Sequence, residues 1–433
     1  MTHGSYAAAE RFILSREFFG MKLGLENISR FLESIGSPQT AYKTIHIGGT
    51  NGKGSVAAML DAILRAAGYR TGLFTSPHLV DLRERILVNG RMIPRTSVTA
   101  FVNRYRKELI KRKLSFFEVV TALAFYYFQR AAIDVAVIEV GLGGRLDATN
   151  VLQPLLTVTT DISRDHVEIL GSSVRRIARE KGGIIKPGVP HLIGLLPETA
   201  EETIQAQCRK QRAPFHRLSR RHLRAQTDRM QFDFRYNGLA LRSVSPSLYG
   251  LHQLKNGALA AMAATLVNHD GLRITPSAVQ LGLEQASWPG RFQIHRRPGR
   301  PTIVLDVCHN AGGVAAFVEA FRNRFPDKKA HILTGFVKRK EHQKMFDLLS
   351  TIAASYSVVP LNTKRSVDLN ELFAVINWRD VPVVRLGSLE TAYRHLLRTC
   401  STEDVIAVIG SHFLVGEFFK KFGRPHRQGT ISR

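Results

Sequence analysis

The run Gly48-Gly49-Thr50-Asn51-Gly52-Lys53-Gly54-Ser55 narrows what this chain can fold into more than any other stretch. Alternating apolar residues from Thr44 to Gly49 predict a strand that leads straight into it. The residues that follow, SVAAMLDAILRAAG, place Val56, Leu60, Ile63 and Leu64 at helical spacing, with Gly68 as the stop. Strand, glycine loop and helix in that order gather backbone amides, the Lys53 ammonium and a helix N-terminus around one point, which is how phosphate sites are built. The spacing departs from a strict Walker A motif, because the glycines are one residue too close and Gly54 separates Lys53 from Ser55. The reading is a phosphate-binding loop in which Gly49, Thr50, Asn51, Gly52, Lys53, Gly54 and Ser55 face the anion.

The rest of the chain repeats the alternation of strand and helix. Short apolar runs at Thr71 to Phe74, Asp134 to Val140, Leu155 to Thr160 and His191 to Leu195 are separated by helical segments, which predicts a mostly parallel sheet. The stretch His216 to Ser245 is strand-like and rich in turns, and predicts a hairpin appended to that sheet. A helix over His252 to Asn268 then closes the domain. Ser287 to Pro301, rich in Pro, Gly and Arg, marks a boundary. Beyond it, strands are predicted at Thr302 to Val307, Ala330 to Phe336, Ser357 to Leu361, Pro382 to Leu386 and Asp404 to Gly410. The expected architecture is α/β, with a P-loop-type, mostly parallel sheet domain over residues 1–290 and a smaller Rossmann-like α/β domain over 291–433.

Composition excludes several classes. With 433 residues, 44% apolar and 22% charged, the chain can bury a real core in two or three domains. No uncharged apolar run reaches the roughly 18 residues of a membrane helix. Phe116 to Phe128 comes nearest and contains Glu118. Glu10 and Arg11 interrupt what would have to be the apolar core of a signal peptide. Cys208, Cys308 and Cys400 are far apart and form no CxxC pair, so their spacing fits neither a disulfide framework nor a zinc site, and the cytoplasm is the expected compartment. The net charge of +26 favours anionic partners and is partly concentrated in Arg209 to Arg224 and Lys420 to Arg433. A basic nucleic-acid-binding protein is one reading of that charge, and a solvated basic surface the plainer one.

Eight motifs occur in order: GTNGKGS, FTSPHL (Phe74 to Leu79), VIEVGLGGRLDATN (Val137 to Asn150), Asp165-His166, EKGGIIKPG (Glu180 to Gly188), HQLKN (His252 to Asn256), PGRFQ (Pro289 to Gln293) and DVCHN (Asp306 to Asn310). Together they resemble the folylpolyglutamate synthase/dihydrofolate synthase family of the Mur ligase superfamily, from about Leu23 to about Gly416. The resemblance implies a monomeric ligase that uses ATP and two magnesium ions to add L-glutamate to a pterin carboxylate, dihydropteroate or a reduced folate. No membrane and no specific nucleic acid is implied.

Such chemistry has a physical logic. A carboxylate is a poor electrophile, and transfer of the γ-phosphoryl group makes it an acyl phosphate that an amine can attack. By resemblance, Ser76 and Glu139 hold magnesium between the β- and γ-phosphates, and His166 holds a second ion. Each also has a plainer reading: Ser76 before Pro77 as a turn cap, Glu139 as an ion-pair partner, His166 as a satisfied polar residue. Lys181 is implied to be carbamylated and to act as an anionic ligand, and Lys53, Lys181 and His166 form the implied catalytic set. Asn256, Arg291 and Asp306 would complete the nucleotide site between the domains. His309 would position the amine or its carboxylate, with helix capping as the alternative.

The implied pterin segments are Lys22 to Leu25, Ser115 to Glu118 and Leu146 to Ala148. They contribute Leu23, Gly24, Phe117, Glu118, Leu146, Asp147 and Ala148. Phe117 offers an aromatic face and Asp147 an acceptor, although FFEVVTALAFYYF also reads as a buried helix. Several residues depart from the family pattern: Val307, Cys308, Ala311, Gly182 and Arg164, and Arg339-Lys340-Glu341 where Asp-Lys-Asp is usual. The competing enzyme reading is a Mur-type ligase for another acid.

Overall fold

The structure is a computed structural model and describes residues 5–19, 24–268, 271–376 and 381–423. Lys22 and Leu23 of the implied pterin segments, and the basic tail beyond Gly423, lie outside these residues. The larger sheet has eight strands in the spatial order Arg91–Met92, Ile86–Val88, Thr71–Phe74, Val135–Glu139, Lys43–Gly48, Leu156–Thr159, His191–Ile193 and Phe215–Arg217. The last six run parallel. The first two form an antiparallel edge.

Both faces of this sheet are covered, which is why its strands read as continuous apolar runs. Ile45, Ile47, Val135 and Val137 pack against the helices Lys53–Ala66 and Leu251–Asn268. Phe74, Ala136 and Ile138 pack on the opposite side with the helices Tyr6–Ser15, Arg95–Lys111 and Phe116–Arg130. In the middle, Ile47 pairs with Glu139 and Gly48 with Thr159. The carboxyl ends of three adjacent parallel strands thus reach one level, where open α/β sheets bind ligands.

The stretch after Phe215–Arg217 differs from expectation. It is not a hairpin on the large sheet but a separate antiparallel sheet of Leu223–Gln226, Gln231–Tyr236 and Leu239–Val244. Its alternate residues Phe232, Phe234 and Leu241 are buried in the core that contains the helix Leu251–Asn268, so burial on a helix replaces edge pairing. A further helix, Pro276–Gln285, adds to the elements expected from the sequence. It lies on the helix Lys53–Ala66 so closely that a Cβ on Gly282 would stand 2.4 Å from Ile63 Cα.

The second sheet has six strands in the order Gln293–His295, Thr302–Asp306, Val405–Ile409, Ala330–Thr334, Ala353–Val358 and Val383–Arg385. All but the first pair in parallel. Gln293–His295 falls inside the stretch read as a boundary, and Ala353–Val358 begins four residues before the predicted strand. The α/β class expected from the sequence is the one observed.

Candidate active site

The glycine loop is shaped by main-chain conformations that side chains resist. Gly49 has φ 143° and Gly52 φ 83°. A Cβ on Gly49 would stand 2.1 Å from Thr160 Oγ1, one on Gly52 2.8 Å from Asn256 Oδ1, and one on Gly54 2.8 Å from the Trp288 indole nitrogen. Gly52 caps the helix Lys53–Ala66 without a side-chain hydrogen bond, so the first amides of that helix stay open to an anion. The loop is pinned from the neighbouring strand end: Thr50 N donates to Asp161 O at 2.7 Å, and Thr50 Oγ1 to Ser163 O at 3.1 Å. Lys53 Nζ donates back to Thr50 O at 3.0 Å, and the buried Ser55 hydroxyl accepts from Gln253 Nε2. Asn256, one turn beyond Gln253, donates to its side-chain oxygen at 3.0 Å.

Around this loop the charged groups converge. Glu139 is 3% exposed and accepts from Ser76 N at 3.1 Å. Burial raises its carboxyl, and Lys53, the Ser76 amide, Arg291 and Arg85 pull it back. Lys181 is 4% exposed, and its Nζ donates to Gly49 O at 2.7 Å. Burial, and then the charge of Lys53, push its ammonium down to about 7. His166 has φ 51° at the N-terminus of a short helix; its side chain is 38% exposed, and the desolvation of its packed side is the first cause that moves the imidazole down to about 4. The neutral ring is the form that binds a metal.

Arg291 lies two residues before the strand Gln293–His295 of the second sheet, and Asp306 ends its neighbour Thr302–Asp306. Asp306 accepts from Phe292 N at 2.8 Å and Cys308 N at 2.7 Å, which fixes the chain on either side of it. Arg291 Nε is buried without a hydrogen-bond partner among the described residues. It acts electrostatically on both Glu139 and Asp306. A buried, unpaired guanidinium donor opposite an uncapped helix fits an anionic phosphate chain. The carboxylate, hydroxyl and neutral imidazole of Glu139, Ser76 and His166 fit hard divalent cations.

Asp165 ties the halves together. Asn310 Nδ2 lies 3.0 Å from both Asp165 Oδ2 and Asn51 Oδ1, His309 Nε2 is 3.6 Å from Asp165, and Lys340 forms a buried ion pair with it. Burial opposes the Asp165 anion, but His309, His166 and Lys340 outweigh it and hold the carboxyl well below the usual range. Arg339 Nη1 meets Glu168 at 2.6 Å. The Arg339-Lys340-Glu341 departure therefore sends its two cations across to the first domain. Asn310, not His309, caps the following helix, accepting from Gly313 N at 2.8 Å. The imidazole of His309 faces Asp165 and the ring of His412, 5.2 Å away.

The implied pterin residues divide into two groups. Phe117 is half-buried beside Phe74 and covers Gly141, whose added Cβ would stand 2.4 Å from its ring. Leu146 is half-buried, and Ala148 is buried. Gly24, with φ 142°, is the first described residue of its segment. Glu118 is 2% exposed and closes a capping box with Ser115 through Oε2, while its Oε1 is buried without a hydrogen-bond partner among the described residues. Asp147 is likewise occupied: it accepts from Leu142 N at 2.8 Å, Thr149 N at 3.0 Å and the Thr149 hydroxyl. Thr149 in turn meets His46 Nε2 at 2.8 Å. Sequence reasoning missed Trp288, His412, Arg85 and the capping role of Asn310. All come from elements remote from the loop, but the place of Asn310 before an apolar helix is a readable cap signal.

Fold and site together define a Mur-type ligase, and comparison with known proteins agrees. The Mur ligase middle domain matches residues 47–265, and the Mur ligase glutamate ligase domain matches residues 290–412. The dihydrofolate synthase/folylpolyglutamate synthase of Bacillus subtilis (strain 168) is 32% identical over 434 residues, covering 96% of this chain and 99% of that one. Mycobacterium tuberculosis folylpolyglutamate synthase complexed with ADP matches with a TM-score of 0.87 at 29% identity, covering 96% and 99% of the two chains. The bifunctional enzyme of Yersinia pestis complexed with AMPPNP and Mn ion gives 0.85 at 27%, covering 97% and 98%. The chain belongs to the folylpolyglutamate synthase/dihydrofolate synthase family.

Proposed function

We propose that this chain is an ATP-dependent acid–amino-acid ligase that joins L-glutamate to dihydropteroate, to reduced folate or to both, releasing ADP and phosphate. The observation that carries the reading is the meeting of Lys53, Glu139, Lys181, His166 and Arg291 at one uncapped helix N-terminus between two α/β units. Residues 1–290 would hold ATP and the pterin acid, and residues 291–433 would bring in glutamate. ATP and a divalent cation agree with the nucleotide and manganese complexes of the relatives.

In this reading Gly49 to Ser55 cradle the phosphates, and Arg291 and Lys53 neutralise the charge that develops as the acid oxygen attacks the γ-phosphorus and ADP departs. Asn256 and Asp306 complete the nucleotide site, with Asp306 acting by fixing the backbone beside Arg291. Ser76 and Glu139 would hold one magnesium ion, and His166 and a carbamylated Lys181 a second. Bound there, the ions supply charge neutralisation at the phosphates. The carbamate forms when the neutral Lys181 amine attacks carbon dioxide and loses a proton, and the field of Lys53 that disfavours the ammonium favours this anion. Phe117, Leu146, Asp147 and Ala148 would line the pterin end, with Leu23, Gly24 and Glu118 supporting it. His309, held toward Asp165, would orient the glutamate as its amine attacks the acyl phosphate carbonyl and phosphate leaves. A cytoplasmic setting and a monomeric working unit belong to the same proposal.

The test is ADP release with ATP, magnesium and L-glutamate, using dihydropteroate, tetrahydrofolate or no acceptor, with mass analysis of products. Addition of one glutamate to either acceptor supports the reading. Nucleotide binding with neither acceptor consumed would leave a Mur-type ligase for another acid.

A further inference from the structure

A second cluster of donor atoms lies at the far rim of the second sheet. His331 is the second residue of the strand Ala330–Thr334, Asp404 stands just before Val405–Ile409, and Cys400 caps the C-terminus of the helix Leu389–Thr399. In parallel strands these positions are at the end opposite Thr334 and Ile409, and so away from the level of Asp306, which pairs with Ile409. One imidazole nitrogen, the thiol sulfur and one carboxylate oxygen lie within 4.8 Å of one another, and all three residues are half-buried. His331 Nε2 stands 3.9 Å from Asp404 Oδ1.

Each side chain is held from behind. His331 Nδ1 meets Ser355 Oγ at 2.9 Å, which leaves Nε2 facing the cluster. Asp404 Oδ2 accepts from Ser401 N at 2.7 Å and Ser401 Oγ at 2.9 Å, which leaves Oδ1 facing it. The Cys400 backbone is fixed by its amide bond to Leu396 O at 2.9 Å. Outer hydrogen bonds that fix the ring and carboxylate orientation are how proteins prepare metal ligands. Lys328, whose charge acts on Asp404, bonds the carbonyl and carboxylate of Glu403.

We propose that His331, Cys400 and Asp404 bind a borderline divalent cation of the zinc type. The donor set decides the class: magnesium and calcium take oxygen ligands, whereas imidazole and thiolate select zinc or cobalt. Bonds of roughly 2.0 to 2.3 Å around a tetrahedral ion need donor separations of about 3.3 to 3.8 Å, so the side chains close in by at most about 1.5 Å. The thiol releases its proton to solvent as the metal binds, and water fills the fourth position. The bound ion pins the end of one helix to two strands of the sheet. Cysteine spacing had excluded zinc because it counts cysteines along the chain, whereas the fold assembles this set from three separate elements.

The probe is Co²⁺ added to the reduced, metal-free full chain, compared with Cys400→Ser and His331→Ala. The expected result is a thiolate-to-cobalt charge-transfer band that saturates near one ion per chain. It should vanish in Cys400→Ser, need about tenfold more metal in His331→Ala, and be displaced by Zn²⁺. Cobalt at the oxygen-rich nucleotide site produces no such band. Magnesium-dependent ADP release by both variants should match the parent, which also shows that they fold. Absence of the band in the parent chain overturns the proposal, as does a band that survives Cys400→Ser.

Discussion

Gly49 and Gly52 leave no room for a methyl group, since Thr160 Oγ1 stands 2.1 Å and Asn256 Oδ1 2.8 Å from where a Cβ would sit. Gly49→Ala should therefore weaken ATP binding by at least about tenfold, through strain at a positive φ, and calorimetric titration would show it. Parent-like affinity would mean that the loop yields. A subtler case is Thr149, which bonds Asp147 and His46 at once. Thr149→Val leaves buried polar atoms unpaired, at about 1 to 3 kcal/mol. It should raise KM for the pterin acid while KM for ATP stays put; a change in both alike would make Thr149 merely structural. The glycines were legible because their chemistry is local. Asp147 and Glu118 are legible as polar groups of the implied pterin segments, and Ser115-x-x-Glu118 is also a capping signature. Trp288 and His412 were not legible, because nothing along the chain says which distant side chain will cover the loop.

Helices and strands carry their own tests. Gly282 brings the helix Pro276–Gln285 onto Ile63 of the helix that begins at Lys53. Gly282→Ala must push the two apart, at about 1 to 3 kcal/mol, visible as a lower melting temperature. His191, in the strand His191–Ile193, is buried between the hydroxyls of Thr157 and Thr159, and burial moves it from 6.5 down to about 3. Below pH 6.5 the unfolded chain takes up a proton that folded His191 refuses, so stability is lost as the pH falls from about 6.5 toward 3. His191→Gln, which keeps a donor and an acceptor but does not titrate, should flatten that slope in denaturant titrations. Elements buried on both faces were easy to read. Ala353–Val358 was misplaced because its Ala, Ser and Tyr are weakly apolar, and Pro276–Gln285 was passed over despite Thr275 and Pro276, a cap and first-turn pair.

Across the whole molecule, the two α/β units meet through Asp165, Asn310, Lys340 and Asn51. Lys340→Met strips the cation from a buried pair, a loss of about 3 to 5 kcal/mol. The variant should scatter X-rays as a more open particle and turn over more slowly; unchanged scattering would show that the contact does not hold the units together. No helix among the described residues is long and apolar enough to cross a membrane. The basic run from Arg209 to Arg224 ends one helix and leads to the separate three-stranded sheet, and nothing in the proposed chemistry uses it. Finally, the chain has only two tryptophans, and one of them, Trp288, lies against Gly54 at the mouth of the phosphate loop. With Trp378→Phe the molecule becomes its own optical sensor: a single emitter at the nucleotide's doorstep, whose brightness and colour report each arrival and departure without any added label.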